Sequence, residues 1–169
     1  FIEEYSNTNK IDSDNSSNFA VDGKLKIKQV LNTGDGSDGD VSVTGSSTYT
    51  IDEDTLIAGR TVADAVSYTL TNLTSTVATC SATVSGIAAG DEVMLYCVQG
   101  HSSADTDNWG NYEFLTVDSV STTDITFTTS KSKFYGSAAN GDANIGTSAS
   151  AMKVVVQRVP NYQNLTVPC

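Results

Sequence analysis

Residues 77–98 read VATCSATVSGIAAGDEVMLYCV, and the alternation of apolar and polar side chains in this stretch indicates the class of fold. Strand side chains point to opposite faces in turn, so a period of two residues predicts β-strands, here joined by a loop. With the loop centred between Ala88 and Ala89, the two strands pair as a hairpin in which Cys80 faces Cys97. Directly opposed cysteines are close enough to bridge, so this register predicts a disulfide.

Strand-like segments recur along the rest of the chain. Residues 112–128 predict a second hairpin with its turn at 121–123, and residues 153–159, which read KVVVQRV, have the pattern of a central strand that Pro160 ends. Several short strands at this spacing predict an all-β fold, an antiparallel β-sandwich or barrel. We also expect strands at 41–44, 48–51 and 65–71, an edge strand at 162–167, and a short helical turn within 55–66.

The N-terminal part of the sequence is set apart from the rest. Residues 19–28 alternate on both sides of Asp22-Gly23, a pair typical of hairpin turns. The Gly- and Asp-rich cluster at 34–40 follows, so we divide the chain into an N-terminal strand or hairpin segment, 1–31, and a β-sandwich or barrel domain, 32–169. Residues 1–31 either pair within their own domain or are exchanged between subunits.

The composition limits the classes of partner. The 169 residues carry a formal net charge of −11, which a nucleic-acid backbone would repel. Ser and Thr fill about a quarter of the chain, a composition typical of extracellular β proteins, and no apolar window is long enough for a membrane span. We therefore expect an extracellular or cell-surface protein without nucleic-acid partners or membrane insertion.

The three cysteines agree with an oxidising compartment. Pairing Cys80 with Cys97 leaves Cys169 over, which predicts an intermolecular disulfide or a partner beyond this sequence. The alternative is a cytosolic protein with three reduced thiols.

One acidic loop has the residue types of a calcium site. Asp35, Asp38 and Asp40 place three carboxylates on a Gly-rich backbone, and calcium prefers several oxygen ligands at once. Asp and Gly are also the preferred turn residues, so a plain linker turn is the alternative interpretation. Calcium is the only cofactor that the sequence suggests.

The sequence predicts no enzyme. His101 is the only histidine, and no nucleophile signature such as Gly-x-Ser-x-Gly accompanies it. The loop that contains His101 instead indicates a binding function, in which Trp109 stacks on a sugar while Asp105 and Asp107 bind the hydroxyl groups of the sugar. The alternative is that Trp109 packs over the end of the core. Sequons for N-glycosylation begin at Asn15, Asn72 and Asn164.

Parts of the sequence resemble a known class of protein. The resemblance rests on residues 84–135, especially Gly86–Val93, Gly110–Leu115 and Lys133–Gly136, together with Val154–Val167. These segments are similar to β-rich modules of large secreted bacterial surface proteins, which are adhesin-like, and of phage tail-associated proteins. Residues 5–27 resemble the strand that precedes such modules. The resemblance implies an extracellular, non-enzymatic β scaffold.

Two functions follow from these features. The first is a structural subunit of a surface fibre or filament, a homopolymer in which the N-terminal segment adds a strand to the next copy. The second is an adhesive or carbohydrate-binding module, on a cell surface or a phage tail, that binds surface glycans through the loop at 100–111.

Overall fold

The structure is a computed structural model, and the chain in it divides into two compact units, Phe1–Gly34 and Asp35–Cys169. The sequence-based boundary, between residues 31 and 32, lies three residues before this division. Each unit is considered by itself below. The structure describes residues 11–13, 18–21, 25–28, 35–43, 48–100 and 108–167.

The first unit contains a three-stranded antiparallel sheet. Its strands are β1 (Ile11–Ser13), β2 (Asn18–Val21) and β3 (Leu25–Lys28), in that spatial order. Val21 lies opposite Leu25, and β2 and β3 pair antiparallel along Asn18–Val21 and Leu25–Lys28. The hairpin predicted for residues 19–28 is thereby confirmed.

The second unit is a closed barrel with a small two-stranded sheet beside it. Six antiparallel strands close in the order β10, β5, β6, β9, β8, β7, and β11 pairs with β4 in parallel. The all-β prediction is confirmed, in its barrel form. The strands of this unit within the described ranges are β4 (Asp40–Ser42), β5 (Ser67–Leu73), β6 (Val77–Cys80), β7 (Glu92–Gln99), β8 (Tyr112–Ser121), β9 (Asp124–Phe127), β10 (Lys153–Val159) and β11 (Asn164–Thr166).

Alternation of side chains builds the barrel core. Along β7, Val93, Leu95 and Cys97 are buried while the residues between them lie on the outside. β6, β9 and β10 repeat this pattern, whereas a register shift in β5 spaces its buried Leu70 and Leu73 three residues apart. Burial of each large aliphatic side chain contributes about 1.5–3 kcal/mol. Tyr135 and Met152, which come from loops, are fully buried with the strand residues. The interior is therefore a packed core.

The predicted hairpin of residues 77–98 is wrong. β6 pairs with β5 and β9, whereas β7 pairs with β8 and β10. In the closed ring β6 and β7 are three strands apart in either direction, so they lie on opposite walls of the barrel. The predicted Cys80–Cys97 disulfide is wrong with it, because both thiols are free and buried. Opposite walls of a β core are about 10 Å apart, too far for a bridge.

The other strand predictions mostly agree with the structure: those at 41–44, 65–71 and 162–167 correspond to β4, β5 and β11. Ser121 pairs with Asp124 across a tight turn between β8 and β9, where Thr122 has a φ of 50°. β10 is a central strand between β5 and β7, as the run of valines predicted. The predicted strand at 48–51 is absent, since residues 48–50 have no regular secondary structure and a turn begins at Ile51.

The predicted helical turn within residues 55–66 is also wrong, and a buried carboxylate explains the difference. Asp64 is fully buried and accepts hydrogen bonds from the backbone N–H groups of Leu56 at 3.0 Å and Ile57 at 3.2 Å. The Tyr162 hydroxyl donates a third at 2.8 Å. These bonds replace helical ones and hold the segment in turns. The part of the chain that the structure describes holds no helix with the length and hydrophobicity of a membrane span.

Candidate functional site

The outer face of β7 and β8 carries three exposed aromatic side chains. Tyr96 lies directly opposite Tyr112, and Met94 lies opposite Phe114. Tyr112 and Phe114 are each 50% exposed and Tyr96 is 36% exposed, although large apolar side chains normally pack inside. Directly opposed residues project from the same face of a sheet, so these rings form one surface, which we call the aromatic face.

Contacts between side chains hold two rings of the aromatic face, those of Tyr112 and Phe114. The Tyr112 and Phe114 rings meet edge to face, with centroids 6.1 Å apart. The Lys133 ammonium lies 4.8 Å from the centre of the Tyr112 ring and donates a hydrogen bond to the Tyr112 carbonyl at 2.6 Å. A cation over an aromatic ring is attracted to its negative face. The rings are therefore preorganised on a rigid sheet.

Trp109 lies just before β8, in the connection from β7, and is 50% exposed. One edge of its indole ring packs against Gly100 so closely that a methyl group there would overlap the ring. The neighbouring Asn108 is buried, and its amide donates to the carbonyls of Gly136 at 2.9 Å and Ala138 at 2.8 Å. One edge of Trp109 thus packs against the Gly100 backbone while the residue as a whole is half-exposed, and its contact with a sugar stays a prediction.

A partly buried polar cluster supports the loops next to the aromatic face. The Glu113 carboxylate accepts hydrogen bonds from the Ser132 N–H at 2.8 Å and from the Tyr135 hydroxyl at 2.9 Å. Burial raises the pKa of Glu113, but the hydrogen bonds outweigh it and the net pKa lies below the ordinary value. Burial, followed by the hydrogen bond and charge of Glu113, raises the pKa of Tyr135 far above its usual range. Glu113 is therefore ionised and Tyr135 neutral at physiological pH.

The three acids of the predicted calcium loop have separate partners. Asp35 accepts a hydrogen bond from the Ser37 N–H at 2.9 Å, Asp38 forms an ion pair with Arg158, and Asp40 accepts from the Asn164 amide at 2.7 Å. Within the described ranges, no group of three or more His, Cys, Asp or Glu side chains is arranged to hold a metal ion. Calcium binding by this loop stays a prediction.

Several predicted site residues lie outside the described part of the chain. His101, Asp105 and Asp107 belong to the loop before Trp109, and Asn15 and Cys169 lie near the two ends of the sequence. Of the other sequons, Asn72 is exposed on β5, whereas the Asn164 side chain is hydrogen-bonded to Asp40. Glycosylation of these asparagines stays a prediction.

Sequence reasoning found Trp109 but missed Tyr96, Tyr112 and Phe114. Their alternation with Leu95, Cys97 and Leu115 was a usable signal, because two neighbouring strands cannot bury both of their faces in a single small core. A set of exposed, rigid rings can stack against the flat apolar side of a ligand, while nearby hydroxyl and amide groups bind its polar edge.

Comparisons with known proteins find little similarity. The chain matches no protein-family model and no curated protein sequence. Among solved structures, part of it is similar to the Gp54 tailspike of Acinetobacter baumannii bacteriophage AP22, whose structure is in complex with A. baumannii capsular saccharide. The match covers 61% of this chain and 15% of the tailspike chain, with 19% identity and a TM-score of 0.35. A likeness this weak carries no argument about function.

Proposed function

We propose that this chain is an extracellular carbohydrate-binding module that holds a saccharide on the aromatic face and on Trp109. The observation that carries the proposal is the pair of half-exposed rings of Tyr112 and Phe114 on the barrel wall, with half-exposed Trp109 in the connection before β8. Contiguous exposed apolar surface of this kind marks an interaction site in a soluble protein. The module binds its saccharide without altering it chemically.

Stacking chemistry favours a sugar as the ligand. One side of a pyranose ring presents C–H groups, which carry partial positive charge, and the face of an aromatic ring is negative. The chain also offers many neutral hydroxyl groups for the sugar's polar edge, since Ser and Thr fill about a quarter of it. A net charge of −11 disfavours polyanionic partners.

Fibre assembly by strand addition has less support from the geometry. A closed barrel has no unpaired strand edge, so the six barrel strands offer no position for a strand from another copy. Within the described ranges, unpaired edges belong only to the outer strands of the β1–β2–β3 sheet and to the β4–β11 pair.

A glycan array with matched variants tests the proposal. The wild-type chain is applied to immobilised neutral and acidic polysaccharides, and its affinity for the strongest ligand is measured by calorimetry. Tyr112→Ala and Trp109→Ala should each weaken binding about tenfold, which corresponds to the loss of one stacking contact. Tyr49→Ala removes an exposed aromatic residue outside the barrel strands and should leave the affinity unchanged.

Thermal melting controls for folding, since the tested rings are exposed and their loss should leave the melting temperature within a few degrees. Failure of the wild-type chain to bind any polysaccharide would overturn the proposal, as would equal affinities for the wild type and both ring variants. Release of shorter sugars from the bound polysaccharide would identify an enzyme instead. Filaments of the purified chain in electron microscopy would favour the fibre subunit.

A further inference from the structure

A second feature of the second unit is an open pocket of about 360 Å³ beside β5. Its volume lies at the lower end of the range for small-molecule sites, about 300–1,000 Å³. The lining includes Thr71 of β5 and the polar residues Asn144, Thr147, Ser148 and Ser150 of the loop before β10. No charged side chain lines it, so its chemistry suits an uncharged, hydroxyl-rich ligand.

Hydrogen bonds from Lys153 and Met152 hold the loop that forms the pocket. The Lys153 ammonium donates hydrogen bonds to the carbonyls of Gly146 and Ser148, and the Met152 N–H donates to the Asn144 carbonyl at 2.8 Å. Ile145 packs against the barrel core. A preorganised loop loses little conformational entropy when a ligand binds.

Three hydroxyl groups of this loop are available to a ligand. Among the described residues, the side chains of Thr147, Ser148 and Ser150 make no hydrogen bond, and all three are exposed. Each hydroxyl is both a donor and an acceptor, and so is each hydroxyl of a sugar. The loop thus presents uncharged hydrogen-bonding groups on a fixed backbone.

Strand register relates the pocket to the aromatic face. Thr69, Val155 and Tyr96 form one row across β5, β10 and β7, because Thr69 pairs with Val155 and Val155 with Tyr96. Neighbouring strands are about 4.8 Å apart, so β5 and β7 are separated by about 10 Å. Thr71 lies two residues beyond Thr69 on β5, at the pocket. Only β10 separates the pocket from the nearest ring of the aromatic face.

We propose that this pocket is a second subsite for the same ligand, which is an uncharged oligosaccharide long enough to cross β10 from Tyr96 to the Thr147–Ser150 loop. The proposal rests on the proposed function. One sugar stacks on the aromatic face, and a later sugar of the same chain places its hydroxyl groups in the pocket. Because the two subsites act together, affinity rises with the length of the saccharide until both are filled.

The test is a length series with subsite variants. The probes are oligosaccharides of one to six residues cut from the neutral polysaccharide that binds most tightly in the array. The pocket variant combines Thr147→Val, Ser148→Ala and Ser150→Ala, which remove three exposed hydroxyls and leave the Lys153 contacts to the backbone in place. For the longest probe it should weaken binding about tenfold or more, equivalent to the loss of two or three hydrogen bonds. For the shortest probe that binds, its affinity should equal that of the wild type.

Tyr96→Ala serves as the matched variant of the other subsite and should weaken binding of every probe. Equal affinity of the pocket variant and the wild type for the longest probe would overturn the subsite while leaving the proposed function intact. An affinity that does not change with length would do the same. Tighter binding of an acidic polysaccharide than of any neutral one would overturn the proposal that the ligand is uncharged. If no polysaccharide binds the wild type, the proposed function fails and the subsite fails with it.

Discussion

At the scale of single residues, the cysteines are core side chains. Cys80 and Cys97 face the barrel interior from opposite walls, in the alternating positions that Val and Leu fill on the other strands. Free Cys behaves as a small hydrophobic residue when buried. Burial, with a smaller contribution from the charge of Asp124, raises the pKa of Cys80 to about 12, and burial raises the pKa of Cys97.

We predict that neither buried thiol reacts in the folded protein. The thiolate is the reactive form, and a raised pKa leaves almost none of it at pH 8. Iodoacetamide labelling in a Cys169→Ser background should leave Cys80 and Cys97 unmodified in buffer and label both in guanidinium chloride. Mass spectrometry of the two peptides reads the result. Labelling without denaturant, or a peptide pair linked by a disulfide, would contradict the prediction.

A second residue-scale prediction concerns the pH dependence of stability. The pKa of Glu113 in the folded protein lies below its ordinary value of 4.5, so its stabilising effect is complete above pH 4.5 and is lost as the pH falls further. Glu113→Gln should lower the free energy of unfolding at pH 7 by about 1–2 kcal/mol, because hydrogen bonds to a charged acceptor are replaced by weaker ones.

Urea unfolding at several pH values checks this prediction. The difference in unfolding free energy between the wild type and Glu113→Gln should shrink as the pH falls below 4.5. Asp118→Asn, which changes an exposed acid on the same strand, is the matched control and should show a small difference throughout. A difference for Glu113→Gln that stays constant from pH 7 to pH 3 would show that its charge is not involved.

At the scale of elements, the connection between β6 and β7 shows why the local sequence pattern could not predict which strands pair. Because β6 and β7 lie on opposite walls, their connection has to pass from one wall to the other, and contacts with other segments hold it in place. At Gly86 the backbone has a φ of +76°, its carbonyl accepts a hydrogen bond from Arg60, and Val62 occupies the space where a side chain would be. Glycine is required there for its conformation and for its lack of a side chain.

We predict that Gly86→Ala lowers the free energy of unfolding by about 3 kcal/mol, since it adds steric overlap with Val62 to the cost of a left-handed backbone. Gly90→Ala is the matched control in the same connection. Gly90 also has a positive φ, of +92°, but nothing lies within 4 Å of the position that an added Cβ would take, so its substitution should cost about 1 kcal/mol. Chemical denaturation of both variants gives the two values. Equal costs would mean that the contact with Val62 contributes nothing.

At the scale of the whole second unit, one buried arginine connects segments distant in sequence. Arg158 of β10 is 3% exposed, forms ion pairs with Asp38 and Asp91, and donates a hydrogen bond to the Asp64 carbonyl at 3.2 Å. Asp38 also accepts the Asn161 N–H at 2.7 Å. The guanidinium thus joins β10 to three loops outside the barrel wall.

We predict that Arg158→Met lowers the free energy of unfolding by about 3–5 kcal/mol, because Asp38 and Asp91 then remain partly buried without a counter-charge. Adding Asp38→Asn and Asp91→Asn to Arg158→Met should recover part of the loss, since it removes the unpaired charges. Denaturation of the single and triple variants measures both effects. A triple variant less stable than the single one would contradict this explanation.

The sequence by itself determined the all-β class, the hairpin of β8 and β9, and the central strand β10. These features depend on side-chain alternation and on turn residues close in sequence, and both are local. The choice of partner between strands is not local, because any two strands with alternating side chains can pair so that their apolar residues share one face of the sheet. Closure of the barrel therefore decided that Cys80 and Cys97 lie on opposite walls. Pairing of β7 with β8 decided that Tyr96, Tyr112 and Phe114 share one outer surface, since residues distant in sequence become neighbours only after the strands have paired.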